Sequence, residues 1–283
     1  MSNQNASIAY FGPAGSYTHQ AAHERFGNEI RYIPQVTIAD VFEAVEKGLT
    51  TYGIVPFENS TFGSVVTTLD KFINTETQII EEICLTAFGQ CQNWLDQHLK
   101  HAARVESSST SHAAELSASE PGSAAISSII CSKLYGLKVL EKNIQDKNDN
   151  TTRFFILINP NITNNLTFNQ NLNTIKKTIT TKSSSNGCNN NNHCSNKTLI
   201  SFTVDNKSSN ALCDSLKIFK DLNIGLTKID SRPSLQRLWH YVFFVELEGN
   251  KDDYKIQKAL DNLCKYCMNL KVLGSYFDNR VFL

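Results

Sequence analysis

The chain has no excess of either charge: 27 lysines and arginines stand against 27 aspartates and glutamates over 283 residues. A polyanion partner such as DNA requires a basic excess, so the balance argues against nucleic acid. No apolar run reaches membrane-spanning length. The opening residues, Met1-Ser2-Asn3-Gln4-Asn5, lack the hydrophobic stretch of a signal peptide. These absences lead to the expectation of a cytoplasmic protein with neither nucleic acid nor membrane as partner.

Metal-ligand spacing is missing as well. The 8 cysteines are scattered. Cys264-Lys265-Tyr266-Cys267 is a single C-x-x-C in a helical pattern and reads as two reduced thiols a turn apart. Cys188 and His193-Cys194 lie in an Asn-rich tract. A structural zinc needs four ligands, and neither cluster supplies them, so no metal is expected.

What is present is a chain with 41% hydrophobic and 19% charged residues, enough for one large domain and a small one. Strands are expected at Ile8–Phe11, Arg31–Ile33, Tyr52–Pro56, Ile79–Leu85, Ala103–Val105 and Ala124–Ile126. Helices are expected between them, with Val41, Phe42 and Val45, or Val65, Leu69 and Phe72, as apolar faces. This alternation predicts parallel sheets in an α/β fold. From about Asn159 to Lys197 the composition turns to Asn, Thr, Ser and Lys, which reads as a disordered insert. Beyond it the order is βαββαβ, a ferredoxin-like module. It includes a helix through Ala211 and Leu222, an alternating strand from Trp239 to Leu247, and a helix from about Asp253 to Met268.

The chemistry concentrates at Asn150-Thr151-Thr152-Arg153-Phe154, a polar knot running straight into the buried strand Phe155-Ile156-Leu157-Ile158. Polar groups at the mouth of a rigid strand are well placed to touch a small ligand. Three strand-to-helix junctions share that character: Gly15-Ser16-Tyr17-Thr18, Asn59-Ser60-Thr61 and Ser108-Ser109-Thr110-Ser111. Each reads alone as an ordinary N-cap. Together they point to a small anionic ligand near strand ends. Glu58 is either a general acid or base or a carboxylate that orients the loop, and the orienting role is preferred.

At these residues the chain resembles the prephenate dehydratases. The phrases Gly12-Pro13-Ala14-Gly15-Ser16-Tyr17-Thr18-His19-Gln20-Ala21-Ala22, Gly53-Ile54-Val55-Pro56-Phe57-Glu58-Asn59-Ser60, Asn143-Ile144-Gln145-Asp146 and Asn150-Thr151-Thr152-Arg153-Phe154 carry the likeness. The tail, Leu226 to Ser234 and Leu238 to Phe244, resembles the phenylalanine-sensing ACT domain joined to that enzyme. The resemblance implies a catalytic domain over residues 6–159 with two periplasmic-binding-protein-like lobes. The chain would cross between them near Ile79 and return near Phe154 to Ile158. The Asn-rich insert would span 160–197 and an ACT domain 198–276. The implied reaction turns prephenate into phenylpyruvate, without cofactor, under feedback by L-phenylalanine.

By the same resemblance, Thr152 is the essential residue. Asn59 and Gln90 join it as catalytic candidates, and Arg153, Phe154, Ser60, Ser16 and Thr110 as substrate contacts. Phe154 either walls the ring off from water or is plain core. The effector residues are Asn210, Ala211, Leu212, Asp230, Ser231, Arg232 and Pro233. A homodimer or homotetramer is implied.

Two departures bear on function. Leu85-Thr86-Ala87 bridges directly a passage that is longer in the family and carries a substrate-facing Ser-His-Pro. The family's Gly-Ala-Leu and Glu-Ser-Arg-Pro stand here as Asn210-Ala211-Leu212 and Asp230-Ser231-Arg232-Pro233. Arogenate dehydratase is the close enzymatic alternative, and a phenylalanine-binding regulator without turnover is the alternative of another class. An ACT module serving only dimerisation remains open.

Overall fold

The structure is a computed structural model that describes residues 6–28, 30–86, 91–146, 150–162, 196–205 and 210–278. Gln90 and most of the Asn-rich tract, with Cys188 and Cys194, lie outside the described residues. The chain divides into two compact units, 1–71 with 83–157 and 72–82 with 158–283.

In the first unit, β1 (Ser7–Phe11) pairs in parallel with β2 (Arg31–Gln35) and β3 (Tyr52–Asn59). Helix α1 (Tyr17–Phe26) starts where the Ser16 hydroxyl accepts from the His19 N–H. Helix α2 (Ile38–Glu46) starts on a reciprocal Thr37–Asp40 capping box and buries Val41, Phe42 and Val45. Gly53 lets that helix lie close to β3. A Cβ there would stand 2.7 Å from Val45 Cγ2 and 3.0 Å from Val41 Cγ1.

β4 (Gly63–Ser64) turns back on β3, and α3 (Val66–Asn74) and β5 (Gln78–Thr86) follow. The last strand of this unit, β6 (Thr151–Ile158), pairs with β3 in the antiparallel sense. Strand order in this unit is β2-β1-β3-β6. The sheet is therefore mixed, where the alternation of elements predicted parallel pairing. The reason is where the chain re-enters. It arrives at Asn150 beside Asn59, at the exit of β3, so β6 can only run back along its neighbour.

A second difference concerns the expected strands at 103–105 and 124–126. Described residues 91–146 form α4 (Gln92–His98), α5 (Thr110–Ser119), α6 (Ile130–Tyr135) and irregular chain, with no strand. A strand exists through its ladder partner, and Val105, 87% exposed, has neither ladder nor cover. The helices dock instead on the loop after β1. The Ser111 hydroxyl donates to the Ala14 carbonyl, and the Ser128 hydroxyl and Cys131 thiol both reach the Gly15 carbonyl. Gly15 sits at φ +86, with Cys131 Sγ and Ser111 Oγ where a side chain would stand. A larger residue is thus excluded both by backbone and by space.

The second unit runs β7 (Asn196–Thr203), α7 (Ala211–Asp221), β8 (Leu226–Pro233), β9 (Tyr241–Glu248), α8 (Tyr254–Leu263) and β10 (Met268–Phe277). The four strands are antiparallel in the order β10-β7-β9-β8. Ile200, Phe202, Val245 and Leu247 form one core with Ile218 and Phe219 of α7 and Ile256, Ala259 and Leu263 of α8. Strand periodicity puts Lys197 and Glu246 on the other face. There the buried Lys197 ammonium lies 2.8 Å from Asp278 and 3.6 Å from Glu246. The Tyr276 hydroxyl donates to Glu246 at 2.7 Å. β9 begins at Tyr241, later than the alternation predicts, because Trp239 at φ +59 breaks the extended run. Helix α8 ends at Leu263, short of the expected Met268, because residues 264–266 turn and Met268 opens β10.

Candidate functional site

The polar knot and the Asn59 turn meet across the β3–β6 ladder, where Asn59 faces Thr152 and Glu58 faces Arg153. The register slips between Pro56 and Glu58, a bulge at Phe57. Helix α3 and its approach hold that bulge. The Val65 N–H donates to the Phe57 carbonyl at 2.8 Å, and the Thr68 hydroxyl to the Pro56 carbonyl at 2.6 Å. A bulge re-aims side chains at a strand end. Here it brings both Phe57 and Glu58 to Arg153.

Asn59 is the hub. Its side-chain oxygen accepts from the Thr61 and Phe62 N–H groups at 2.9 and 3.0 Å. Two backbone donors can face only the oxygen of an amide, so the NH2 group must point the other way. There it donates to Asn150 Oδ1 at 2.7 Å and to Thr152 Oγ1 at 2.9 Å. Both amide hydrogens are used, and Thr152 is the acceptor in its bond with Asn59. The threonine therefore keeps its own O–H proton for another acceptor, which is the polarity a donor to a departing oxygen needs. Ser60 fixes the same corner. Its hydroxyl accepts from the Thr151 N–H at 2.9 Å, while its own N–H donates to the Thr151 carbonyl at 2.8 Å.

Arg153 lies on the opposite face of β6 from Thr152, as strand alternation requires. Its guanidinium is buried, donates to Glu58 at 2.7 Å and covers the Phe57 and Phe155 rings, with centroids 5.2 and 5.9 Å away. Arg153, expected as a substrate contact, is thus engaged with Glu58. Breaking this partly buried pair would leave the buried guanidinium without its counter-charge. Arg153 and Glu58 fix one another across the β3–β6 ladder. Phe154 is buried and shares a face with Thr152, so wall and core are the same position.

Other expected contacts are engaged locally. Ser16 is an N-cap engaged on both sides, donating to the Phe11 carbonyl at 3.1 Å and accepting from His19 at 3.3 Å. Thr110 is the exposed first residue of α5, capped by Ser109. No described hydrogen bond joins Ser16 or Thr110 to the Asn59 cluster. Gln90 lies outside the described residues. Asn150 is not among the expected site residues, although it begins the polar knot. Its signal is an amide residue at the mouth of an apolar strand, and it is buried.

His19 steadies the loop before α1. Its Nδ1 accepts from the Gly15 N–H at 3.0 Å, and its ring stacks on Tyr10 at 4.6 Å. Burial, with His23 nearby, lowers its pKa from 6.5 to about 4. The unfolded chain then binds a proton that the folded chain refuses. Stability from this site is complete above pH 6.5 and falls away as pH drops towards about 4. His19→Asn keeps an acceptor for Gly15 without titrating. Urea midpoints from pH 7 to 4 are expected to fall more steeply in the wild type than in this variant.

In the second unit, Asn210 occupies the N-cap position of α7 without a side-chain cap bond, and Ala211 and Leu212 open the helix. Asp230, Ser231, Arg232 and Pro233 finish β8, with Pro233 facing Tyr241. Thr203, the end of β7, faces Val242. Asp230 to Pro233 therefore lie towards the sheet end at which β7 finishes.

A mixed α/β protein with an amide–hydroxyl cluster at a strand exit is an enzyme-like scaffold for a small polar substrate. Comparison with known proteins makes this specific. The prephenate dehydratase family model matches residues 8–87 and 84–162. A bifunctional chorismate mutase/prephenate dehydratase of Aquifex aeolicus is 35% identical over 95% of this chain and 73% of its own length. The prephenate dehydratase of Lactococcus lactis subsp. cremoris is 29% identical over 95% of this chain and 96% of its own. The prephenate dehydratase of Arthrobacter aurescens superposes with a TM-score of 0.77 at 25% identity, over 97% of this chain and 91% of that one. The chain belongs to the prephenate dehydratase family.

Proposed function

We propose that Thr152 assists the family's reaction in this chain, the conversion of prephenate to phenylpyruvate, carbon dioxide and hydroxide. The bond from the ring to its carboxylate breaks, and that electron pair moves through the ring. The carbon–oxygen bond at the far side then breaks, leaving an aromatic ring. Aromatisation supplies the driving force. Charge builds on the departing oxygen, and the Thr152 O–H donates to it. The threonine hydroxyl is a weak acid, so it acts as a positioned hydrogen-bond donor. One observation carries the reading: Asn59 presents Thr152 with a donor and so leaves its proton outward. Asn150 and Ser60 hold that geometry, and Ser60 and Gln90 are the proposed substrate contacts.

The catalytic part is proposed as two lobes, the first carrying the β2-β1-β3-β6 sheet and the second reduced to α4–α6. The two family matches overlap at residues 84–87, at the directly bridged passage, which supports a shortened second lobe. The βαββαβ module is proposed as an ACT domain through which copies assemble as a homodimer or homotetramer in the cytoplasm. The Arthrobacter aurescens relative was solved in complex with L-Phe. In this chain L-phenylalanine would place its carboxylate at the start of α7, where the Asn210 side chain makes no cap bond. Asp230 to Pro233 would hold the rest.

The test is phenylpyruvate release from prephenate, with and without L-phenylalanine, beside the same assay with arogenate. Phenylpyruvate that diminishes on adding millimolar L-phenylalanine is expected. Faster turnover of arogenate would assign the alternative substrate. Ligand binding without any product would make the chain a regulator.

A further inference from the structure

His240 is 9% exposed, and both its ring nitrogens are buried without a hydrogen-bond partner among the described residues. A buried polar group left unpaired costs about 1–3 kcal/mol, so such a ring calls for a reason. Its place in the fold supplies one. The Ser234 N–H donates to the His240 carbonyl at 2.8 Å, directly beyond the Pro233–Tyr241 pair. His240 thus closes the β8–β9 hairpin one step past Asp230–Pro233. Thr203, the last residue of β7, faces Val242 and so lies at the same sheet end. Two bulky residues of this hairpin, Leu235 and Trp239, adopt φ +59. Such conformations are strained for large side chains and persist at ligand clamps.

We infer that His240 is an effector-binding residue, one imidazole nitrogen donating to the carboxylate of an α-amino acid held at this end of the sheet. A neutral imidazole offers one donor and one acceptor. An amino-acid head group offers both complements, a carboxylate that accepts and an ammonium that donates. The inference rests on the reading that this module binds L-phenylalanine, and it adds a residue outside the seven expected ones.

The experiment compares the full-length wild type with His240→Phe and His240→Ala by calorimetry and thermal unfolding, with and without L-phenylalanine. His240→Phe keeps a ring of similar shape and deletes the nitrogens. Without ligand its unfolding midpoint should equal or exceed that of the wild type, because no bond is lost. With ligand, both variants should bind about 10- to 100-fold more weakly, the loss of one hydrogen bond to a charged group. The phenylalanine-induced rise in midpoint should shrink to match. A variant that binds as tightly as the wild type overturns the inference while leaving the effector reading intact. A His240→Phe chain that is less stable without ligand and binds normally assigns His240 to packing and overturns it too. A wild type that binds no L-phenylalanine removes the effector reading itself, and this inference with it.

Discussion

Replacing Thr152 with alanine is expected to lower kcat for phenylpyruvate formation by roughly 10²–10⁴-fold, the range for losing a transition-state donor. The half-buried hydroxyl sits on a strand end whose far side is packed aromatic core, so the backbone should hold its place when the methyl and hydroxyl are removed. The ground-state complex loses little, because the departing oxygen acquires charge only as its bond breaks. KM should therefore change far less than kcat. Quenched-assay kinetics over a prephenate series give both constants. A variant that turns over at near wild-type kcat would remove Thr152 from the chemistry.

Asn59→Asp should cost kcat about as much, roughly 10²–10⁴-fold, for a different reason. The aspartate is nearly the same shape, and its carboxylate still accepts from the Thr61 and Phe62 N–H groups that set the turn. Its second oxygen, however, now faces Thr152 as an acceptor. The threonine must then donate to that carboxylate, and its proton is withdrawn from the substrate. The same oxygen also faces Asn150 Oδ1, now two acceptors in contact. Asn59→Ala removes the hub without reversing the polarity. The two variants together separate loss of position from reversal of direction, and the aspartate should be at least as impaired. An aspartate variant more active than the alanine one would contradict the polarity argument. Circular dichroism at the assay temperature checks that each variant is folded.

Much of this is legible in the residues themselves. Apolar runs place β1, β3 and β6, and the cap Ser16 places the start of α1, because both signals are local. The nearness of Asn59 and Thr152 follows from motif resemblance and is seen in the ladder register. The direction of their hydrogen bond is beyond reach, since it depends on the Thr61 and Phe62 N–H groups, which sequence does not orient. Where the Arg153 side chain points is beyond reach for a related reason. Its pairing with Glu58 arises from a bulge at Phe57, a register slip without a local signature. The strands expected at 103–105 and 124–126 fail because a strand is defined by its partner. Lys197, read as the end of a disordered tract, is buried in β7 against Asp278, some 80 residues away.

The central claim, that the Thr152 proton is donated to the departing oxygen, is tested most directly by measuring kcat for Thr152→Ser and Thr152→Val side by side. Serine keeps the hydroxyl and is predicted to stay within about tenfold of the wild type, while valine, alike in shape without the O–H, should fall as far as alanine. A valine variant that matches serine would contradict the account.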